Sequence, residues 1–159
     1  MQERLGSWKR DFYCAEPSPA HIGSAITLMG WAQKRRDHGG LIFIDLRDRT
    51  GIIQLVFNPE NESAEHSLEH DIRSEFVLAI KGTVQKRPIG TENPALKTGM
   101  IEVSVKELRV LNDSAPLPFM IEDDTDVAEL TRLKYRYLDL RRPALQAKLV
   151  LRHKAAMAA

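Results

Sequence analysis

The sequence predicts an all-β domain with one short helix: a small five-stranded barrel in the order β-β-β-α-β-β, followed by a helical linker. Three observations predict it. Short runs rich in β-branched and aromatic residues recur as far as residue 111. Glycine-containing turns separate the first three runs. From Asn112 onward, prolines, an acidic turn and helix-forming runs replace that pattern.

Residues 25–36 (AITLMGWAQKRR) read as a strand with a polar exit. Asp37-His38-Gly39-Gly40 is a turn, because paired glycines supply positive φ at no steric cost. Residues 41–48 (LIFIDLRD) form a second strand, Arg49-Thr50-Gly51 a second tight turn, and 52–57 (IIQLVF) a third strand. Pro59 ends the sheet pattern. Residues 61–72 carry helix formers, early carboxylates and a thin apolar stripe at Ala64, Leu68 and Ile72, which predicts a short helix. Residues 76–85 make a fourth strand, 86–99 a long loop broken by two prolines and two glycines, and 100–111 a fifth strand. That order is the order of an OB fold, a Greek-key barrel with a helix between its third and fourth strands.

Pro116 and Pro118 stop the barrel. Residues 127–140 then read as helical, with Asp126 or Thr125 as the N-cap. Pro143 interrupts, and 144–159 restarts a helix with Leu145, Leu149 and Arg152 on one face. The expected organisation is a barrel over 1–112, a hinge over 113–140, and over 141–159 the start of a further, truncated domain.

Composition bounds the function. The chain has 159 residues, 43% of them apolar and 28% charged, as in an ordinary soluble protein. No apolar run approaches the ~18–20 residues of a membrane span, so no membrane partner is expected. The first residues carry charges without a following apolar core, unlike a secretory signal. One cysteine, Cys14, cannot form an internal disulfide, which points to a reducing, cytoplasmic setting and an inert structural role. Net charge is only +1, but it is unevenly spread. Residues 113–129 hold six acidic side chains and no Lys or Arg, whereas 132–154 hold eight basic against one acidic. The basic pairs and triplets Lys34-Arg35-Arg36 and Lys86-Arg87 suit either phosphate contact or solvated strand ends.

Side chains alternate across a strand, so parity assigns faces. Ile42, Ile44 and Leu46 share one face of the second strand, and Phe43, Asp45 and Arg47 the other. Ile53, Leu55 and Phe57 point inward and leave Gln54 outward; Ile101, Val103 and Val105 point inward and leave Glu102 outward. Phe43, Gln54 and Glu102 therefore fall on the outer face that OB folds use for oligonucleotides. An exposed aromatic can stack on an unpaired base, an amide can pair with a base edge, and a carboxylate can accept from an exocyclic amine. The alternative is that Phe43 covers a barrel edge and Glu102 is simply solvated.

WAQKRRDHGGLIFIDLRDRTGIIQLVF (31–57) strongly resembles the anticodon-binding barrel of bacterial aspartyl-tRNA synthetases. RLKYRYLDLRRP (132–143) resembles the segment by which those enzymes enter their class II catalytic domain. The lysyl and asparaginyl enzymes share the barrel, but FIDLRDRTG together with YRYLDLRRP favours the aspartyl family. The resemblance implies that Phe43 stacks on the central anticodon uridine, Gln54 bonds an anticodon base and Glu102 reads the third base. It implies that Arg36 and Arg87 contact the anticodon loop. His38 followed by Gly39, with the loop Gly90-Thr91-Glu92-Asn93-Pro94, resembles members that charge both tRNA(Asp) and tRNA(Asn); His38 also suits an ordinary turn.

The resemblance further implies ATP and Mg2+ for the complete enzyme, which would be a homodimer, while this stretch would bind neither and be catalytically inactive, as a monomer or weak dimer. Two rivals belong to other classes. One is a free-standing OB-fold binder of single strands, which would have no need of YRYLDLRRP. The other is a metallohydrolase through His66-Ser67-Leu68-Glu69-His70, a short motif with no evident third ligand and a high false-positive rate.

Overall fold

The computed structural model describes residues 3–58 and 71–158. Two compact units divide at Ala115/Pro116. In the first, five strands close a barrel: β1 (Ala25–His38), β2 (Leu41–Arg47), β3 (Ile52–Phe57), β4 (Val77–Lys86) and β5 (Ile101–Asn112). The order around the ring is β1-β2-β3-β5-β4. Only β3 and β5 run parallel, and β1 pairs with both β2 and β4, which leaves no open edge among the paired strands. The helix expected over 61–72 lies, but for its last two residues, outside the described residues, as do His66 and His70.

The inward faces match the parity argument. Ile44, Leu46, Ile53, Leu55, Phe57, Ile101 and Val103 are all fully buried, together with Leu28, Leu78, Ile80 and Val84. Removing such side chains from water is the main favourable term in forming the barrel. Strand one runs two residues further than expected, and strands four and five sit one residue later. The first hairpin closes on Gly39 and Gly40, with φ of +60° and +82°. Positive φ at both central residues is the two-residue turn that matches strand twist, and His38 is the last paired residue of β1, opposite Leu41.

Two irregularities shape the barrel. In β1 the register shifts between Ala32 and Lys34. This bulge inverts which parity points outward: Ala32 is buried, whereas Lys34 and Arg36 are exposed. It also splits the basic triplet. Arg35 lies on the opposite parity and pairs with Asp37 at 2.9 Å. In β4 a second shift falls at Gly82, where a Cβ would collide with the Ser104 carbonyl, so the close crossing of β4 and β5 requires glycine.

The residues before β1 wrap the barrel, an arrangement the sequence pattern did not announce. Trp8 is buried between Lys81 and Arg109, each 4.2 Å from its ring centroid. The Cys14 amide donates to the Asp48 carboxylate at 2.7 Å, and Thr50 donates to the same carboxylate through its N–H and its hydroxyl. Burial alone would raise the Asp48 pKa, but these bonds outweigh it and hold the carboxyl below its ordinary value. Burial and the neighbouring Asp48 push the Cys14 thiol far above its usual range, so it stays protonated and inert.

The second unit has its own small core of Phe119, Ile121 and Leu138. The expected single helix over 127–140 is instead two short ones, α1 (Glu129–Lys134) and α2 (Arg136–Asp139), broken at Tyr135. Its N-cap is Ala128, not Asp126 or Thr125, and no side chain caps it. Asp139 is 2% exposed and held by Arg136 at 2.6 Å and Arg142 at 3.0 Å. Arg142 also donates to the carbonyls of Glu122 and Asp123. The Asp123 carboxylate accepts from the Ala144 N–H, which caps α3 (Pro143–Ala158), and Pro143 suits that helix start because its missing N–H would have had no helical partner.

Candidate nucleic-acid interface

On the outer face of the barrel, Arg36, Asp37 and His38 of β1, Phe43 of β2, Gln54 of β3, Arg87 and the Gly90–Asn93 stretch enclose a cleft of about 570 Å³. The bulge in β1 is what turns Arg36 and His38 toward it. Arg36 stands opposite Phe43 in the β1–β2 register, and Asp45 stands opposite Gln54 in the β2–β3 register.

A continuous hydrogen-bonded row crosses this face. Arg36 Nη2 donates to Asp45 Oδ1 at 2.7 Å and to Gln54 Oε1 at 3.2 Å. Gln54 Nε2 donates to Glu102 Oε2 at 2.9 Å, and Gln85 Nε2 donates to Glu102 Oε1 at 2.8 Å. Glu102 and Gln85 are direct cross-strand partners on β5 and β4. A carboxylate only accepts, so both amides must turn their nitrogens toward Glu102.

Five of the six residues singled out from sequence line the cleft directly: Arg36, His38, Phe43, Gln54 and Arg87. The sixth, Glu102, lies beside it through its bond to Gln54. The structure corrects their environment. Glu102 is 3% exposed and Gln54 6%, so Glu102 is not a solvated strand residue but a clamped one. Arg87, just beyond the end of β4 as expected, is not a solvent-facing cation. It is 4% exposed, with Nε donating to the Ile101 carbonyl at 3.0 Å. Among the described residues its Nη2 is buried without a hydrogen-bond partner. Burial lowers the Arg87 pKa, against the attraction of Glu102 and Asp45. Burial likewise raises Asp45, against Arg36, Arg87 and Lys34.

Gln85 and Asp45 are the members of this constellation that sequence reasoning passed over as contributors. The outward parity of Gln85, matching that of Arg87, was the available signal. The loop wall is stiffened locally: Thr91 N–H and hydroxyl both donate to the Pro88 carbonyl, and the Glu92 carboxylate accepts from the Gly90 N–H. Among the described residues no group of three His, Cys, Asp or Glu could hold a metal ion, and no helix is long and apolar enough to cross a membrane.

A polar cleft with an aromatic wall on an OB barrel suits unpaired nucleotides. The family described as an OB-fold nucleic acid binding domain, of the tRNA anti-codon type, matches residues 26–111. The chain belongs to this family. Among its relatives, the aspartate–tRNA(Asp/Asn) ligase of Syntrophotalea carbinolica is 56% identical over 98% of this chain and 26% of its own length. That of Thermodesulfovibrio yellowstonii is 58% identical over 94% of this chain and 25% of its own. The chain thus spans about a quarter of the length of the curated relatives it matches. The asparaginyl-tRNA synthetase of Pyrococcus horikoshii, solved with asparaginyl-adenylate, superimposes with a TM-score of 0.78 at 26% identity, over 94% of this chain and 33% of that one.

Proposed function

We propose that this anticodon-family barrel binds the anticodon loops of tRNA(Asp) and tRNA(Asn), as the recognition module of an aspartate–tRNA ligase. The observation that carries the reading is the cleft itself, where one exposed-side aromatic, a base-edge row and two guanidiniums converge. Phe43 stacks on the central anticodon base. Gln54 and Glu102 bond base edges, and Arg36 and Arg87 hold the loop. Arg87 is fixed at the cleft wall by donating to the Ile101 and Thr91 carbonyls, which orients its positive charge toward the loop. His38, exposed at the rim, takes part in the tRNA(Asp)/tRNA(Asn) choice.

In the parent enzyme, residues 113–140 serve as hinge and 141–159 open the class II catalytic domain. ATP and Mg2+ act there, in a cytoplasmic homodimer, and not on the residues of this barrel. The dual-specificity names of the relatives support the choice of both tRNAs.

Fluorescence-anisotropy titration tests this with three stem-loops, aspartate, asparagine and unrelated, at two salt concentrations. Both cognate loops are expected to bind more tightly than the third at either salt. Equal, salt-sensitive binding to all three would reduce the interaction to phosphate attraction and restore the free-standing single-strand binder. His38→Leu is expected to lower affinity for the asparagine loop more than for the aspartate loop.

A further inference from the structure

The reading above requires one surface to accept two tRNAs. Aspartate and asparagine anticodons differ only in their third base, cytosine in one and uracil in the other. Those bases present different edges. From the 4-position, uracil shows acceptor, donor, acceptor. Cytosine shows donor, acceptor, acceptor.

The row across β4, β5, β3 and β1 runs Gln85, Glu102, Gln54, Arg36. In hydrogen-bonding terms it reads donor, acceptor, donor, donor. Each amide uses one N–H on Glu102 and keeps a second, and among the described residues neither second N–H has a further partner. Each Glu102 oxygen likewise retains a lone pair. The arrangement is held at both ends. Gln54 cannot flip without losing Arg36 as well as Glu102, and Gln85 cannot flip without aiming its carbonyl at a carboxylate.

We infer that this row reads both pyrimidines by a shift of one place, and that Gln85 supplies the hydrogen bond that admits uracil, with His38 acting separately from the rim; the inference rests on the anticodon reading proposed above. The first three members complement uracil: Gln85 donates to O4, Glu102 accepts from N3–H, and Gln54 donates to O2. The last three complement cytosine: Glu102 accepts from the 4-amine, Gln54 donates to N3, and Arg36 donates to O2. Only the uracil register uses Gln85. Gln85 is half-buried and so more accessible than its neighbours Glu102 and Gln54, which are nearly covered.

The test uses the 159-residue chain and two anticodon stem-loops identical except for cytidine or uridine at the third anticodon position, with an unrelated loop as control. Gln85→Met keeps length and lack of branching but removes the donor. It is expected to weaken the uridine loop about fivefold relative to the cytidine loop, the factor carried by one net hydrogen bond. Gln85→Lys restores a donor beside Glu102 and is expected to return the ratio toward that of the unsubstituted chain; thermal unfolding of each variant checks folding. A Gln85→Met variant that weakens both loops equally, or a lysine variant that leaves the ratio shifted, overturns the role of Gln85 and leaves anticodon binding standing. No preference of the unsubstituted chain for either loop over the control overturns the anticodon reading and this inference together.

Discussion

Three strands of the barrel carry two faces of opposite character. Inward, Leu55, Val84 and Val103 are fully buried among other hydrocarbon side chains. Outward, on the same β3, β4 and β5, Gln54, Gln85 and Glu102 are also largely withdrawn from water, yet they are joined by directional bonds of 2.8–2.9 Å. The inner face is specified by volume and hydrophobicity, and tolerates swaps that conserve both. The outer face is specified by which atom donates and which accepts, so a change of one atom alters its meaning while hardly changing its shape. The same backbone therefore carries close hydrocarbon packing on one side and a directional polar row on the other.

Substitutions separate the two. Leu55→Ala empties a fully buried site and is expected to cost about 2–5 kcal/mol of folding stability, read from urea unfolding, with the affinity of the folded fraction for anticodon loops unchanged. Phe43→Ala is expected to do the reverse, costing about 1–3 kcal/mol of loop binding with little change in unfolding midpoint. Glu102→Gln replaces the lone acceptor by an amide that must face two others. It is expected to weaken both cognate loops by about 1–3 kcal/mol in anisotropy titrations, again with the smaller effect on folding. A core variant that altered loop selectivity, or a Glu102 variant that altered only stability, would break the division.

The smallest effect belongs to Asp48, a polar group that serves the fold rather than the cleft. Its folded pKa is depressed, so its contribution is present above the unfolded value, about 3.9, and is lost as pH falls through the folded value. The stability gap between the unsubstituted chain and Asp48→Asn should therefore narrow below pH ~4 when urea midpoints are compared.

Much of this was legible in the residues. Alternation placed Ile42, Ile44 and Leu46 inside and Phe43 outside, and the glycine pair at 39–40 marked the first turn. The same parity brought Phe43, Gln54 and Glu102 to one face. What parity cannot register is a bulge: the extra residue at Gln33 inverts the faces of β1, sends Arg36 and His38 to the cleft and turns Arg35 away. Nor can it show that an outward residue is covered. Glu102 and Arg87 are buried because partners distant in sequence meet over them, and nothing local announces that. The split of the 127–140 helix at Tyr135 and the capping of α3 by Asp123 arise likewise from contacts within the second unit that a helical pattern does not encode.

The most direct test of the central claim, that the cleft of Arg36, Phe43, Gln54 and Arg87 is the surface that meets RNA, is a nitrogen-15 NMR titration of the chain with the aspartate anticodon stem-loop. Shifts concentrated at His38, Phe43, Gln54, Gln85 and Arg87 through Asn93, with the Trp8, Lys81 and Arg109 surface unmoved, are the predicted result. Shifts centred on the Trp8 surface, or spread evenly over the basic side chains, would contradict it.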